Sequence, residues 1–151
     1  MTEVRFYHLQ RTNLERALPQ LLEKTLERNW RAVVKAASAE RVEAQNGQLW
    51  TYGRESFLPH GSTKDGHGDR QPVWLTEADD NPNAASVLFL VDGAETLRLG
   101  DYTLCCELFD GNDETALAKA RDHWRRYKAE GHTLTYWQQS ERGGWVKKAE
   151  A

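Results

Sequence analysis

Between Lys119 and Lys128 five basic side chains, Lys119, Arg121, Arg125, Arg126 and Lys128, stand against a single acid, Asp122, in a chain whose net charge is −3. Positive charge gathered on one surface of an acidic protein is suited to holding something negative. With Arg121 at zero and about 100° per residue, Arg125 falls at about 40° and Lys128 at about 340°, a ridge roughly two turns long. Leu117, at about 320°, and Trp124, at about 300°, border the ridge on the side that turns toward a core. Ammonium and guanidinium groups beside an apolar edge suit an acidic peptide with an aromatic or aliphatic end, carboxylates on the cations and the apolar end in the groove. The same spacing also serves a structural role, in which cations complement the helix C-terminal dipole and Trp124 belongs to the core.

Other residue types that could do chemistry are less well placed. His60, Asp65, His67 and Asp69 share a Gly-rich loop, but their spacing fits no familiar cation site, and such loops are commonly solvated connectors. Ser62 lacks the strand, turn and helix setting of a nucleophile elbow. Asp92, Glu107 and Asp110 fall at strand ends, where carboxylates could hold a metal for a small nucleotide hydrolase or nuclease, or simply cap turns. Neither G-x-G-x-x-G nor G-x-x-x-x-G-K-[ST] occurs, so backbone amides have no glycine-lined approach to phosphate. Cys105 and Cys106 are adjacent, which on a strand sends them to opposite faces as packing residues. Direct DNA binding would call for a wider basic surplus and several stacking aromatics.

The elements that must position these residues alternate. A strand over 4–9 leads to a helix capped by Thr12 with Glu15 three residues on, in which Pro19 predicts a kink or a late start. A strand over 31–37 precedes a helix capped by Ser38 and running to about Trp50. Residues 53–71 read as loop, 73–76 and 86–91 as strands, and 103–109 as a further apolar strand. The basic helix spans about 112–131, a last strand 132–138, and residues 140–151 read as a polar, mobile tail beyond a domain of residues 1–139. Strands with continuous apolar runs, separated by helices, predict one α/β domain with a mostly parallel central sheet covered by helices on both faces. At 151 residues, 28% charged and 39% hydrophobic, the chain has the composition of a soluble globular domain and no run long enough to cross a bilayer. Its first thirty residues carry no leader pattern, so a cytoplasmic location is expected.

The order of segments, F-Y-H-L, L-P-Q-L-L-E-K-T-L-E-R-N-W-R-A-V-V, L-W-T-Y with E-S-F-L-P-H, S-V-L-F-L-V-D-G and A-R-D-H-W-R-R-Y-K-A-E-G, resembles the chi subunit family of bacterial DNA polymerase III from about Glu3 to Gln138. That resemblance implies a Rossmann-like three-layer fold, no catalysis of its own, no cofactor, and a place in the clamp-loader assembly. It implies that Arg121, Trp124 and Arg125 bind the acidic, phenylalanine-ending C-terminal tail of single-stranded DNA-binding protein, so that DNA is reached only indirectly. Trp124 stands where well-known members have tyrosine, and Leu117 where they have a lysine, which leaves Lys128 or Lys119 to compensate. A second surface around Trp50 and Phe57 would meet a psi subunit, another clamp-loader subunit or a helicase-like partner. Off the apolar face of its helix and beside an irregular loop, Trp50 suits either an exposed contact or a half-buried structural position.

Overall fold

The computed structural model describes residues 2–10, 12–51, 60–62, 65–142 and 144–151, apart from the side chains of Trp50 and Thr51. Within them the chain order is β1 (Glu3–Leu9), α1 (Leu14–Glu27), β2 (Ala32–Lys35), α2 (Ala39–Thr51), β3 (Gly61–Ser62), β4 (Val73–Thr76), β5 (Val87–Leu90), β6 (Leu104–Asp110), α3 (Glu114–Ala129), β7 (Thr133–Gln139) and β8 (Trp145–Glu150). The strands form one sheet in the order β3-β4-β2-β5-β6-β1-β7-β8. Every pairing is parallel except β7 with β8. This is the mostly parallel α/β layer predicted from the apolar runs.

Period-two alternation divides the strands between two cores. Tyr7, Leu9, Val34, Phe89, Cys106 and Leu108 meet Leu18 and Leu22 of α1 and Val42 and Leu49 of α2 on one face. Val4, Phe6, Val33, Leu88, Cys105 and Leu134 meet Ala120 and Tyr127 of α3 on the other, where Leu99 of a short 3-10 turn and Tyr102 just after it complete the cover. The adjacent cysteines do point to opposite faces. Both are buried free thiols, and burial pushes Cys106 up to about 12 and Cys105 well above its ordinary value, as befits packing residues.

Three local expectations change. The cap of α1 is Asn13, whose Oδ1 accepts from Arg16 N at 3.1 Å, not Thr12. Thr12 is taken up elsewhere, because its amide donates to Gln139 Oε1 at 3.1 Å and ties the β1–α1 turn to the end of β7. Pro19 does not delay the helix, which begins at Leu14 and runs unbroken past it; there the missing N–H removes one ladder bond while the ring is buried. Within the stretch 140–151 read as a mobile polar tail, Trp145–Glu150 form β8 at the sheet edge, antiparallel to β7, with Trp145 packed edge-on to Tyr7 at 4.9 Å. Only one face of an edge strand need be apolar, and lysines on it discourage further pairing. Trp-Val-Lys-Lys-Ala-Glu therefore carries little hydrophobic signal.

Candidate functional site: the outer face of the last helix

Asp113 starts α3, its Oδ1 accepting from the amides of Thr115 at 2.9 Å and Ala116 at 3.3 Å, so the helix enters with its first donors satisfied. Ala120, His123 and Tyr127 are buried beneath it, while Ala116, Leu117 and Trp124 are half-buried along one flank. Arg121, Arg125 and Lys128 are exposed beside that flank. Trp124 stands at the border the helical wheel gives it. Its ring lies 5.4 Å from Phe6 of β1 and 6.2 Å, edge-on, from Tyr136 of β7. The result is a half-buried apolar strip of Leu117, Trp124 and Tyr136 beside three exposed cations.

The five basic residues that mark the helix in sequence divide between two sides. Arg126 turns away, its guanidinium 3.6 Å from Glu95 and over the Tyr127 ring. Lys119 also turns away and lies across Gly93, where an added Cβ would sit 3.2 Å from its Nζ. Lys119 thus lies away from the face that carries Arg121 and Arg125, and Lys128 is the other cation on that face. Arg125 contacts Asp122 at 3.3 Å with both side chains about three-quarters exposed, 76% and 74%, a pair too solvated to hold it back from a ligand.

Tyr136 and His8 belong to this site and have no signal in the sequence that marks them. Their strands are neighbours only because β1 pairs with β7, Phe6 opposite Tyr136. His8 Nδ1 and Tyr136 Oη hydrogen-bond at 2.6 Å, orienting the phenol ring against Trp124. Burial holds the Tyr136 phenol above its ordinary pKa while the Arg121 charge works the other way. Burial also lowers His8, with the Asp110 charge opposing, so the imidazole meets Tyr136 neutral. Gly111 closes this corner because a Cβ there would collide with the His8 ring. Gly111→Ala is expected to destabilise the fold by about 1–3 kcal/mol through that overpacking, measured by urea unfolding; unchanged stability would show that His8 moves aside freely.

At the carboxyl ends of β1 and β6 the chain leaves in opposite directions, to α1 on one face and α3 on the other, and a cleft of about 790 Å³ opens there. This is where α/β sheets usually place ligands. Asp92, Glu107 and Asp110 all line it, yet each is engaged by the fold. Asp92 takes a two-point bond from Arg41 at 3.0 and 3.1 Å, and Asp110 Oδ1 accepts from Asn112 N at 2.9 Å. Glu107 is buried against His123, 2.6 Å from Nδ1, whose other ring nitrogen meets Glu95 at 2.8 Å. In the loop that carries the histidines, Asp65 Oδ2 accepts from Ser62 N at 2.9 Å and His60 is buried near the Asn46 carbonyl. Among the described residues no three His, Cys, Asp or Glu side chains are grouped to hold a metal. No described helix is long and apolar enough to cross a membrane. Phe57 and the side chain of Trp50, the second surface expected from sequence, lie outside the described residues.

Residues 1–135 match the family model described as DNA polymerase III chi subunit, HolC. A protein of Rickettsia prowazekii (strain Madrid E), named "Probable DNA polymerase III subunit chi", is 34% identical over 105 residues, covering 68% of this chain and 64% of that relative.

Proposed function

Because the chain belongs to the DNA polymerase III chi subunit family, we propose that it is a non-catalytic accessory subunit of that polymerase, coupling the clamp-loader complex to single-stranded DNA-binding protein during replication. The observation that carries this reading is the pairing on α3 of exposed Arg121, Arg125 and Lys128 with a half-buried floor of Leu117, Trp124 and Tyr136. An acidic tail ending in phenylalanine matches both parts: its carboxylates meet the cations and its last ring enters the groove. A phosphate backbone would use the cations and leave the floor empty. Coupling would arise through mass action, since a weak tail contact repeated over many protein-coated sites can retain a polymerase on the lagging strand. Trp50 and Phe57 are the residues we assign to a psi subunit, another clamp-loader subunit or a helicase-like partner.

A calorimetric titration with a synthetic acidic peptide ending in phenylalanine tests the reading. Affinity is expected to fall several-fold between about 50 and 300 mM salt, as the Debye length shortens from roughly 14 to 6 Å, and to drop again when the terminal phenylalanine is removed. Binding that ignores both changes would overturn the assignment.

A further inference from the structure

On the opposite face of the sheet, past the edge of α1, β1, β7 and β8 present a second groove, of about 220 Å³. Parallel register places Arg5 beside Thr135 and Tyr7 beside Trp137, and antiparallel pairing sets Trp145 across from Gln139. Leu21, Lys24, Thr25 and Arg28 follow at helical spacing along the stripe of α1 that overlooks these strands. Trp30, Trp137 and Trp145 are all half-buried here, with ring surface left to solvent. Trp137 donates its indole N–H to Thr135 Oγ1 at 2.9 Å, so what it offers a ligand is an apolar π-face. Arg5, Lys24 and Arg28 line the groove and no carboxylate does. Arg5 is held by Glu3 at 2.7 Å, while Lys24 and Arg28 are exposed, the latter 5.6 Å from the Trp30 ring. The groove is smaller than the roughly 300–1,000 Å³ of drug-sized pockets and suits one planar ring at a time.

We propose that this groove binds single-stranded nucleic acid directly, a base stacking on the tryptophans while flanking phosphates meet Lys24 and Arg28. Tryptophan faces interleaved with cations are the elements of a sequence-tolerant single-strand site, since every base has a π-face and every linker a negative charge. The site is separate from the α3 groove and does not rest on the tail-binding reading. The family match ends at residue 135, so Trp137 and Trp145 fall beyond it.

Anisotropy of a labelled twelve-residue oligothymidylate at low salt, without any other protein, reads the site, and an oligouridylate of equal length separates DNA from RNA. Trp145→Ala is expected to weaken binding about tenfold or more, by the loss of one stacking partner. Lys24→Glu with Arg28→Glu, both at exposed helix positions, should weaken it at least as much, and it keeps the test decisive if the tryptophan variant folds poorly. Arg121→Glu with Arg125→Glu should leave it unchanged. The proposal falls if the chain does not retain the oligonucleotide at low salt, if the Lys24 and Arg28 double variant binds it as the native chain does, or if only the α3 variant loses it. It falls equally if an acidic peptide, rather than the oligonucleotide, is what the Lys24 and Arg28 variant releases.

Discussion

Arg121→Glu combined with Arg125→Glu is expected to weaken binding of an acidic, phenylalanine-ended peptide by roughly 30- to 100-fold at low salt, with the fold itself undisturbed. The two parts of this expectation have separate causes. Single exposed ion pairs contribute only about 0.2–1 kcal/mol, but double reversal changes the rim by four charges and turns attraction into repulsion for every carboxylate of the peptide. A total of about 2–3 kcal/mol, at 1.4 kcal/mol per tenfold, gives the stated range. Stability should stay within about 0.5 kcal/mol of the native value, because both side chains are exposed and the one ion pair lost, Arg125 with Asp122, is solvent-screened. Paired peptide titration and thermal unfolding check it. Equal affinity in the variant and the native protein would remove the site from this face of α3. Trp124→Ala is a less clean instrument, since the ring also packs on Phe6 and its loss mixes binding with stability.

The helix that carries these cations was legible because its signal is local. A 3.6-residue period places Leu117 and Trp124 beside Arg121, and the structure keeps that arrangement. Charge counting is blinder than periodicity: Lys119 and Arg126 add to the basic total but lie on the other side, toward Gly93 and Glu95. Tyr136 and His8 could not be assigned to the site in advance, because doing so requires knowing that strands 130 residues apart are neighbours. The central strands were legible as continuous apolar runs covered on both faces. Strand β8 was not, since an edge strand with one packed tryptophan looks like a polar tail. Thr12 and Asn13 are both good caps by residue type; Gln139, 127 residues away from Thr12, decides between them.

Strand-end carboxylates illustrate the same limit with larger energetic weight. Glu107 reads in sequence as a metal ligand or a turn residue, but its partner is His123, sixteen positions later on α3, and Glu95 closes the other side of the ring. Two acceptors on one imidazole favour the imidazolium. Burial alone would lower the His123 pKa, yet the hydrogen bonds to Glu107 and Glu95 carry it above its ordinary value. Burial raises Glu107, with His123 opposing, and the hydrogen bond from His123 lowers Glu95. For His123, a pKa raised in the folded state means stabilisation that is complete below about 6.5, its unfolded value, and lost as pH rises through the folded pKa. Glu107, also raised, adds in the same direction: its contribution is greatest in acid and declines as pH rises from its unfolded value of about 4.5. Only Glu95, lowered, contributes above its unfolded pKa and loses that as pH falls through the folded one. Stability should therefore decline on the alkaline side of about pH 6.5.

His123→Ala turns that arrangement into the most damaging single substitution expected near the site. It leaves Glu107, 4% exposed and with Oε2 already lacking a hydrogen-bond partner, as a buried carboxylate stripped of its hydrogen-bonded imidazolium, with only the more distant charge of Arg126 still acting in its favour. Breaking a buried pair from one side typically costs about 3–5 kcal/mol, a large share of the roughly 5–15 kcal/mol that holds a domain together. The loss should be greatest near pH 6.5, where the His123 contribution is still complete, and shrink toward pH 5, where a stranded Glu107 can fold protonated. Urea unfolding at both pH values reads the effect. Replacing Glu107 and His123 together by leucine should recover much of the loss, since two apolar side chains of suitable volume avoid the desolvation that one orphaned carboxylate incurs. A His123→Ala protein equally destabilised at both pH values, and not rescued by the double replacement, would mean that His123 acts through packing under α3 and that the charge on Glu107 is immaterial.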